Sequence, residues 1–593
     1  MNIDSVKISP LLFVQLNDLY HIDTSADYTH ESLILPRVDT LVRRMRSILG
    51  KEKVIFCLPG DFLAPSYLGK VFKGAQMVDT LNSMNLDFVT FGNHEFEKQF
   101  NEIDIVSRIK ESKFKWLSSN FEFFDESIRE RLIKEGHLLP QPIPLTKNHL
   151  VILFGVMAKE VFEHIGVAHS PTKLAALSID VWRDQAKEME ANGDHPPRLS
   201  FVALTHQTLS SDRRLARQCK DLRLIMGGHD HNVVKQTKTG KCVIVKTASN
   251  ARTLRLNWII SVTPREGFSL PDRHRDRQEI TELQHQVVGQ TLRDVLQTSF
   301  LGGAGNRKRS DRQMLQDFRS LFIESGAIDS GITLQTAILK EEMLITLSTV
   351  IDTTNEAFIR MMPSSKNLSR RIKDWIGRGG ASTTPITTAP VTLVLSDSVI
   401  RRQSSNFGNM VADIVRGSFL SPDGVARIGL INSGSFRLDR DIQEGEAISM
   451  KTLADIFFHP NPIAVFEMSG KEIIAILKAS LFLRNKRKKE GHGDFLQISG
   501  LEVVINDKSE IDVFVTGPFG QQQHIETSEV YTVATTDYVS SNAYRDYFGK
   551  TAVRETSQDI KLSVEHELRR VADAFLPFLV DEGDRWSWRE DDR

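Results

Sequence analysis

Five segments in the first half of the chain end in side chains that can bind a metal ion. One of them, "LRLIMGGHDH", runs from an apolar stretch into His229 and His231, which stand one residue apart. An isolated aspartate after a strand is most often a turn residue, so the repetition of the pattern is the informative feature. The other four segments are "LLFVQLND" ending at Asp18, "KVIFCLPGD" ending at Asp61, "DFVTFGNHE" containing Asn93 and His94, and "LSFVALTH" ending at His206.

Carboxylates, imidazoles and an amide oxygen form a ligand set that suits Zn, Mn or Fe. If these groups meet in the folded chain, burying them without a cation would be costly. Two cations that share one carboxylate lie about 3.5–4 Å apart, which is the arrangement used for in-line displacement at phosphorus. Such ions hold the phosphoryl oxygens and lower the pKa of a bridging water, so that hydroxide becomes the nucleophile. The chain itself then needs no nucleophilic serine or cysteine.

The five segments are continuous apolar runs, as expected for strands buried on both faces. Residues 35–50 and 74–85, which lie between such runs, have helical spacing instead. Strands that alternate with helices predict a layered α/β architecture. Ligands in such folds bind beyond the carboxyl ends of the strands, where all the candidate ligands are predicted to lie.

The rest of the chain reads as two further parts. Residues 266–390 are interpreted as a helical connector and linker, with helices expected over 279–297, 311–326 and 334–362 and a linker rich in small residues over 377–391. From 391 to 593 strand and helix patterns mix again, which indicates a second, α+β domain.

Taken in order, "LND", "GDFLAPS", "TFGNHEFE", "LTH" and "GGHDH" resemble the motifs of the calcineurin-like metallophosphoesterases. The resemblance is closest to the 5′-nucleotidase and UDP-sugar hydrolase branch, since "NFGNMVADIVR", "INSGSFR", "VFEMSGKEI" and "FLQISGL" are similar to its C-terminal domain. It implies a four-layer α/β/β/α sandwich over residues 1–265 and a nucleotide-binding domain over 391–593.

The resemblance also implies a role for each ligand in a site with two divalent or mixed-valence ions. Asp61 would bridge the ions. His94 would lie above the phosphate, where it would stabilise the transition state or protonate the leaving oxygen. Glu97 would orient it, at a position where the family usually has an aspartate. Asn93 is expected to bind both metal and substrate. One ion would take Asn93, His206 and His229, and the other would take Asp18 and His231.

The first motif departs from the family's Asp-x-His pattern. In "NDLYHID" the expected histidine is replaced by Tyr20, and His21 follows one residue later. Residues i and i+2 share a face of an extended strand, so Tyr20 is the direct geometric substitute, and a phenolate suits ferric iron. Three alternatives stay open: Tyr20 binds metal, a local bend admits His21, or neither residue is a ligand.

The C-terminal domain also differs from the family pattern that it resembles. Asn432 and Arg437 match the residues that face the nucleotide, and Arg401 or Arg402 matches an upstream arginine. Tyr538 matches one of the two rings that sandwich the base.

The second ring position falls on His459, where phenylalanine is usual, and Asp546 is a candidate for the ribose-binding aspartate. The basic run "RNKRKKEGHGD", residues 484–494, reads as an exposed loop, with a nuclear-localisation or polyanion-binding patch as the alternative.

Composition narrows the functional classes. With 75 Lys and Arg against 76 Asp and Glu, the net charge of −1 gives no general attraction to nucleic acid or to an anionic membrane. The three cysteines form no paired motif, which favours a reducing compartment, and no secretory leader or membrane span is evident, so a cytoplasmic protein is expected.

The leading hypothesis is a dinuclear metal-dependent hydrolase of nucleotides. The alternatives are the same chemistry on a cyclic or non-nucleotide phosphate ester, and a metal-depleted protein that only binds its ligand. The first alternative is motivated by the departures from the family pattern at the positions expected to bind the nucleobase. The second is motivated by Tyr20, which replaces an expected metal ligand.

Overall fold

The fold is that of a computed structural model, which divides into two compact units. The first comprises Met1–Ala64 and Leu68–Gly379, and the second comprises Pro65–Tyr67 and Gly380–Arg593. The residues that the structure describes are 3–25, 33–97, 100–162, 165–192, 194–270, 277–292, 294–295, 299, 333–339, 342–380, 383–418, 420–421, 424–486, 491–506, 510–517, 520–548, 552, 554–573, 580–581 and 583–588.

Two packed sheets form the centre of the first unit. One has the strand order β15-β16-β14-β1-β2-β3-β4, and the other has the order β12-β13-β11-β10-β7-β6. A smaller sheet joins β5, β9 and β8. The strands β1 to β16 are Val6–Gln15, Val54–Leu58, Phe88–Thr90, Lys115–Leu117, Phe121–Phe123, Gln141–Thr146, His149–Met157, Glu160–Phe162, Gly166–Ala168, Arg198–His206, Leu222–Gly227, Val234–Thr239, Cys242–Lys246, Thr253–Pro264, Thr333–Leu339 and Glu342–Asp352.

Helices of this unit pack on both large sheets, on the small sheet and on one another. α1 packs against β2, α10 packs against α1 and α3, and α6 and α7 pack against the second sheet. The helices α1 to α10 are Leu35–Leu49, Tyr67–Phe72, Ala75–Ser83, Glu102–Glu111, Glu126–Lys134, Pro171–Ala191, Leu209–Gln218, Arg277–Leu292, Glu356–Met361 and Lys366–Arg378.

The apolar strands are buried on both faces, as their sequences predict. Along β10, Val202 and Leu204 point into the core between the sheets, where they meet residues such as Phe13. The alternate residues, among them Phe201, pack instead with Leu215 of α7. The predicted four-layer α/β/β/α arrangement is confirmed.

The helical prediction for the connector is wrong over its middle part. A helix is predicted over 334–362, yet residues 334–339 lie in β15 and residues 342–352 form β16. β16 pairs with β14 over ten residues from Thr253 to Val262. The physical reason is the high content of β-branched residues in "MLITLSTVID", which suits a strand beside β14 better than a helix. The helix expected over 279–297 is present as α8, and the one expected over 311–326 lies outside the described residues.

The second unit is built on a five-stranded mixed sheet, β23-β20-β27-β22-β28. β26, β25, β24 and β29 form a second sheet, and two short pairs are β17-β21 and β18-β19. Its strands β17 to β29 are Pro385–Thr388, Leu420–Ser421, Gly424–Val425, Ile428–Asn432, Ala447–Ser449, Pro462–Ser469, Leu496–Ser499, Leu501–Ile505, Ile511–Thr516, Gln522–His524, Val530–Thr536, Arg554–Asp559 and Trp586–Trp588. β17 lies within the segment that was expected to be an unstructured linker.

Helices cover both faces of this five-stranded sheet. Ile431 of β20 packs in one core with Val411 and Val564, whereas the adjacent Leu430 packs in the other with Leu477. The helices α11 to α15 are Asp397–Ile400, Asn406–Gly417, Met450–Ile456, Gly470–Lys486 and Ile560–Asp573.

The three cysteines are buried and unpaired, and all of them belong to the first unit: Cys57, Cys219 and Cys242. Within the described ranges, no helix combines the length and the apolar character that a membrane span requires.

Candidate metal centre and substrate site

The candidate ligands lie in the turns that follow the parallel strands of the two large sheets. His206 is the last residue of β10, and His229 comes two residues after β11. Asp18, Asp61 and Asn93 each come three residues after β1, β2 and β3. The sequence therefore delivers these side chains from five strand ends, as predicted.

Four of these residues have a left-handed backbone conformation that non-glycine residues rarely adopt. The φ angles are 43° for Asp18, 57° for Asp61, 79° for His229 and 55° for His231. Each such residue costs on the order of 1–3 kcal/mol and persists only where the surroundings fix it. Backbone strain of this kind concentrates at functional sites, and four of the ten non-glycine residues with positive φ in the described part of the chain are candidate ligands.

Asp18, Asp61 and His206 meet at the centre of the cluster. One ligand atom from each lies within 4.8 Å of the other two, and all three residues are buried. His206 Nε2 lies 3.0 Å from Asp61 Oδ2, and the backbone NH of His229 donates to both carboxylate oxygens of Asp18 at 3.0 and 3.2 Å. His231 Nε2 lies 3.5 Å from Asp18 Oδ1.

Tyr20 lies at the same centre. Its hydroxyl is 2.8 Å from His231 Nε2 and donates to Asp61 Oδ2 at 3.3 Å. The backbone NH groups of Tyr20 and His21 both donate to the Asn250 side chain, at 2.9 and 3.3 Å. These contacts place the Tyr20 hydroxyl beside two predicted ligands, where the family's histidine is expected.

His94 and Glu97 form the predicted pair beside this cluster. His94 Nδ1 is 2.6 Å from Glu97 Oε1, and His94 Nε2 is 3.8 Å from Asp61 Oδ2. The backbone NH of His94 also donates to Asp61 Oδ1 at 2.8 Å. The longer glutamate therefore reaches the imidazole, as expected when it replaces aspartate. Asn93 precedes the pair, at the start of the short helical turn His94–Phe96.

Glu95, which no predicted role includes, holds two of the ligand-bearing turns together. Its buried carboxylate accepts backbone hydrogen bonds from Asp61 at 2.8 Å, Phe62 at 2.7 Å, Leu63 at 3.1 Å and Gly92 at 2.6 Å. Hydrogen bonds to an ionised acceptor are among the stronger ones in proteins. The motif "GNHE" marks Glu95 in the sequence, but only the fold shows which backbone amides its carboxylate binds.

The charged groups of the cluster perturb one another strongly. Burial would raise the pKa of Asp61, but His206 and His94 outweigh it and hold this pKa below its usual range. Burial alone would lower the pKa of His206, yet Asp61 and Asp18 raise it to about 9. Burial raises the pKa of Asp18 and, together with His206, lowers the pKa of His229. Opposing shifts within one buried cluster are typical of a functional site.

The donor set fits a divalent metal. His206 Nδ1 is 2.7 Å from the carbonyl oxygen of Pro59, and a carbonyl can only accept. Nδ1 therefore carries a proton, which leaves Nε2, the ring nitrogen that faces Asp61, as the atom that would bind a metal. Buried carboxylates and imidazoles together suit Zn, Mn or Fe.

The second unit brings several of the predicted nucleotide-binding residues to one loop, Gly491–Asp494. The carbonyl of Arg401 accepts from the His492 NH at 3.0 Å, and Asn432 Nδ2 donates to the Gly493 carbonyl at 3.3 Å. The Tyr538 hydroxyl donates to Asp494 Oδ1 at 3.3 Å. In the sequence this segment reads as the end of an exposed basic loop, and that pattern does not indicate the contact of Asp494 with Tyr538. Residues 487–490 of that loop lie outside the described residues.

A hydrogen-bond chain also links Asn432 to Tyr538. Ser435 Oγ donates to Asn432 Oδ1 at 2.6 Å, Asn461 Nδ2 donates to Ser435 Oγ at 3.2 Å, and the Tyr538 NH donates to Asn461 Oδ1 at 3.2 Å. Burial raises the pKa of Tyr538, and the nearby Arg437 opposes this shift. Asn432, Arg437 and Tyr538 are thus neighbours.

The remaining predicted residues are less closely tied to this group. The Arg401 guanidinium pairs with Asp397 at 2.6 Å. The carbonyl of Arg402 accepts from Arg484 Nε at 2.7 Å. His459 is exposed with its ring beside Phe458, and Asp546 is exposed after the turn Val539–Ala543.

Comparison with known proteins matches most of the second unit to a family model and finds distant relatives of the chain. Residues 383–548 match the family model of the 5′-nucleotidase C-terminal domain. The trifunctional nucleotide phosphoesterase protein YfkN of Bacillus subtilis is 21% identical over 514 residues, or 81% of this chain and 29% of that protein. The 5′-nucleotidase of Homo sapiens is 24% identical over 234 residues, or 36% of this chain and 37% of that one. These matches span about a third of the length of the curated relatives.

Solved structures share the fold over nearly the full length. A 5′-nucleotidase precursor from Thermus thermophilus aligns over 98% of this chain and 99% of its own, with a TM-score of 0.66 and 17% identity. The sulfate thiohydrolase SoxB of Thermus thermophilus, solved with glycerol, covers 98% of this chain and 97% of its own, with a TM-score of 0.62 and 13% identity. At these identities the likeness establishes the fold alone.

Proposed function

We propose that this chain, a relative of the 5′-nucleotidases with their two-unit fold, is a metal-dependent phosphoesterase that hydrolyses nucleotides. The observation that carries the proposal is the convergence of Asp18, Asp61 and His206, whose ligand atoms lie within 4.8 Å of one another. Tyr20 and His231 contact the same group, and four of the candidate ligands adopt strained conformations. A structural polar cluster would not require this combination.

The proposed site holds two divalent metal ions. When bound, they would polarise the phosphoryl group and activate a water molecule for attack on phosphorus. Asp61 would be shared by both ions. Asn93, His206 and His229 would complete one ion's ligands, and Asp18, His231 and Tyr20 would complete the other's.

The protein's own acid is His94. Glu97 accepts the Nδ1 proton of His94, which fixes the ring and leaves Nε2 to carry a proton to the leaving oxygen. Glu95 holds the turns of Asp61 and Gly92 so that His94 stays beside the cluster. In the second unit, Arg437, Tyr538 and Asp494 would contribute to recognition of the nucleotide.

The test is to measure bound metal and hydrolysis of AMP on the purified chain. We expect two ions per chain and release of phosphate, and we expect Asp61→Ala to lose both because both ions lose a ligand. Asp184→Ala, at an exposed position on α6, is the matched control and keeps both. A folded wild-type chain with one ion or none and no hydrolysis would contradict the proposal and favour a metal-depleted binding protein.

A second candidate function is the same hydrolysis of a phosphate ester that carries no nucleobase. It is favoured by the internal contacts of the predicted nucleotide-binding residues, since Asp397 pairs with Arg401 while Ser435 and Gly493 bind Asn432. Hydrolysis rates of AMP, ribose 5-phosphate, a cyclic nucleotide and p-nitrophenyl phosphate separate the two. Equal rates with and without the base would exclude a nucleotide-specific enzyme.

The role of Tyr20 has its own test. Tyr20→Phe removes only the hydroxyl that contacts Asp61 and His231, so we expect it to weaken binding of one of the two ions. Tyr20→His restores the family's usual ligand and is expected to bind two ions. If Tyr20→Phe binds both ions as tightly as the wild type, Tyr20 is not a ligand.

A further inference from the structure

A buried lysine that belongs to no predicted site lies behind the candidate metal ligands. Lys246 is the last residue of β13 and is fully buried. Its Nζ lies 2.6 Å from Asp230 Oδ2 and 3.1 Å from Asp212 Oδ2. It also donates to the carbonyl oxygens of Gln207 at 2.5 Å and Gly228 at 2.7 Å. A single ammonium group thus binds two loops and a helix.

Three of these four contacts fall next to a candidate metal ligand. Gln207 directly follows His206, and Gly228 directly precedes His229. Asp230 stands between His229 and His231, so its pairing with Lys246 holds the turn that carries both imidazoles. The ammonium therefore contacts the neighbours of three candidate ligands and none of the ligands themselves.

Asp212 of α7 extends the network on the other side of the lysine. Its Oδ1 accepts from Thr205 Oγ1 at 2.7 Å and from Gln207 Nε2 at 2.9 Å, so the residues on both sides of His206 are bound to it. Asp230 Oδ2 also accepts from the Leu209 NH at 2.9 Å, which joins the two loops directly. The carboxylates thus couple the positions of His206 and the 228–231 turn.

A buried ion network is weak evidence for stability, because apolar side chains of similar volume often stabilise as well or better. A role in placement explains this one, because His229 and His231 have φ angles of 79° and 55° and need contacts that fix them. We propose that Lys246 is a positioning residue of the metal centre, an inference that rests on the proposed function. Lys246 holds the 205–212 and 227–231 segments so that their imidazoles converge on Asp61.

The experiment compares Lys246→Met, Lys246→Arg and Asp230→Asn with the wild-type chain. Metal affinity is measured by chelator competition with Zn²⁺ and Mn²⁺, and backbone exchange of the metal-free chain is measured by hydrogen–deuterium exchange. We expect Lys246→Met to weaken metal binding roughly 10- to 100-fold, as loss of supporting contacts does at metal sites. Hydrogen–deuterium exchange should become faster in peptides covering 205–212 and 227–231. Lys246→Arg should restore part of the metal affinity and part of the protection from exchange.

Glu342→Gln is the matched control, because Glu342 is an equally buried charged residue of the same unit that contacts His149 and Arg198 instead. It should lower the melting temperature without weakening metal binding. If Lys246→Met does not fold, Asp230→Asn tests the Lys246–Asp230 ion pair from the other side. This variant retains an acceptor for the Leu209 NH.

Unchanged exchange and affinity in the folded variants overturn the positioning role. So does an equal loss of affinity in Glu342→Gln. A wild-type chain that binds no metal overturns the proposed function instead, while increased exchange in the two segments of metal-free Lys246→Met still supports positioning.

Discussion

At the scale of single residues, His94 and Glu97 form the contact to which the proposed function assigns the transfer of a proton. The 2.6 Å separation of His94 Nδ1 and Glu97 Oε1 fixes the ring, and neither residue is central to the ligand cluster. We expect His94→Ala to lower kcat by about 10²- to 10⁴-fold, the usual contribution of a general acid. Metal content should stay near the wild-type value, and the two quantities are measured on the same preparation.

The exposed pair His169 and Glu122 supplies a control for this prediction. Its atoms are also 2.6 Å apart, but it lies on the surface. His169→Ala should leave kcat unchanged. Loss of metal in His94→Ala to the same extent as in Asp61→Ala would show that His94 is a ligand and not the acid.

Gly92 is required because a side chain there would collide with Asp61. A Cβ at Gly92 would lie 2.7 Å from Asp61 Cγ and closer still to Oδ1. We therefore expect Gly92→Ala to displace the carboxylate and to lower metal affinity and kcat together. Gly377→Ala, on the exposed face of α10 with open space around it, should be neutral or stabilising by up to about 1 kcal/mol. Titration with metal and thermal melting distinguish the two variants.

At the scale of elements, a buried polar cluster joins the two large sheets at the end opposite the metal ligands. His149 at the start of β7 contacts Glu342 of β16 at 2.9 Å and Ser200 of β10 at 2.9 Å. Arg198 and Ser261 also donate to Glu342. The cluster therefore links strands of both sheets through one carboxylate.

This cluster makes stability depend on pH. Burial would raise the pKa of Glu342, but hydrogen bonds from His149 and Ser261 lower it from 4.5 to about 2. A depressed pKa contributes stability above the unfolded value, which is lost as the pH falls from about 4.5 toward 2. At 1.36 kcal/mol per pKa unit the contribution is roughly 3 kcal/mol. Urea unfolding across this range should show the loss in the wild type, and a much flatter profile in Glu342→Gln. A similar slope in both proteins would contradict the assignment.

The elements also show what the sequence could and could not predict. The apolar strands and the polar residues at their ends were evident, because strand burial and strand-end ligands leave a local signal. β16 was mistaken for a helix because its apolar run fits either period when its partner β14 is unknown. Glu95 and Lys246 were overlooked because their partners, such as Phe62 and Gly228, are identified only by the folded chain.

At the scale of the whole molecule, the chain forms two compact units. The family match and the relatives confirm the resemblance to the 5′-nucleotidases, and the structural neighbours confirm the fold. The functional boundaries at 265 and 390 and the roles of the site residues stay predictions. So does the identity of the metal, because Tyr20 departs from the family pattern.

Recognition of the nucleotide is expected to depend on the second unit. Arg437 lies near Tyr538, and both belong to the predicted nucleotide-binding group. We expect Arg437→Ala to raise KM for AMP by about tenfold or more, as loss of a charged contact would, with a smaller change in kcat. Steady-state kinetics on AMP and p-nitrophenyl phosphate provide the measurement.

Arg427 offers the matched control, since it stacks on Tyr531 elsewhere in the same unit. Arg427→Ala should leave KM unchanged. An equal effect of Arg437→Ala on AMP and on p-nitrophenyl phosphate would remove Arg437 from nucleoside recognition.

The distribution of cysteines gives the molecule a built-in reporter. All three thiols belong to the first unit, and burial raises the pKa of each, so the native protein should resist alkylation. The second unit contains no cysteine. The rate at which iodoacetamide modifies the chain in mild denaturant therefore measures opening of the first unit alone. Comparing it with unfolding of the whole chain, followed by an optical signal, reveals the unfolding of the second unit.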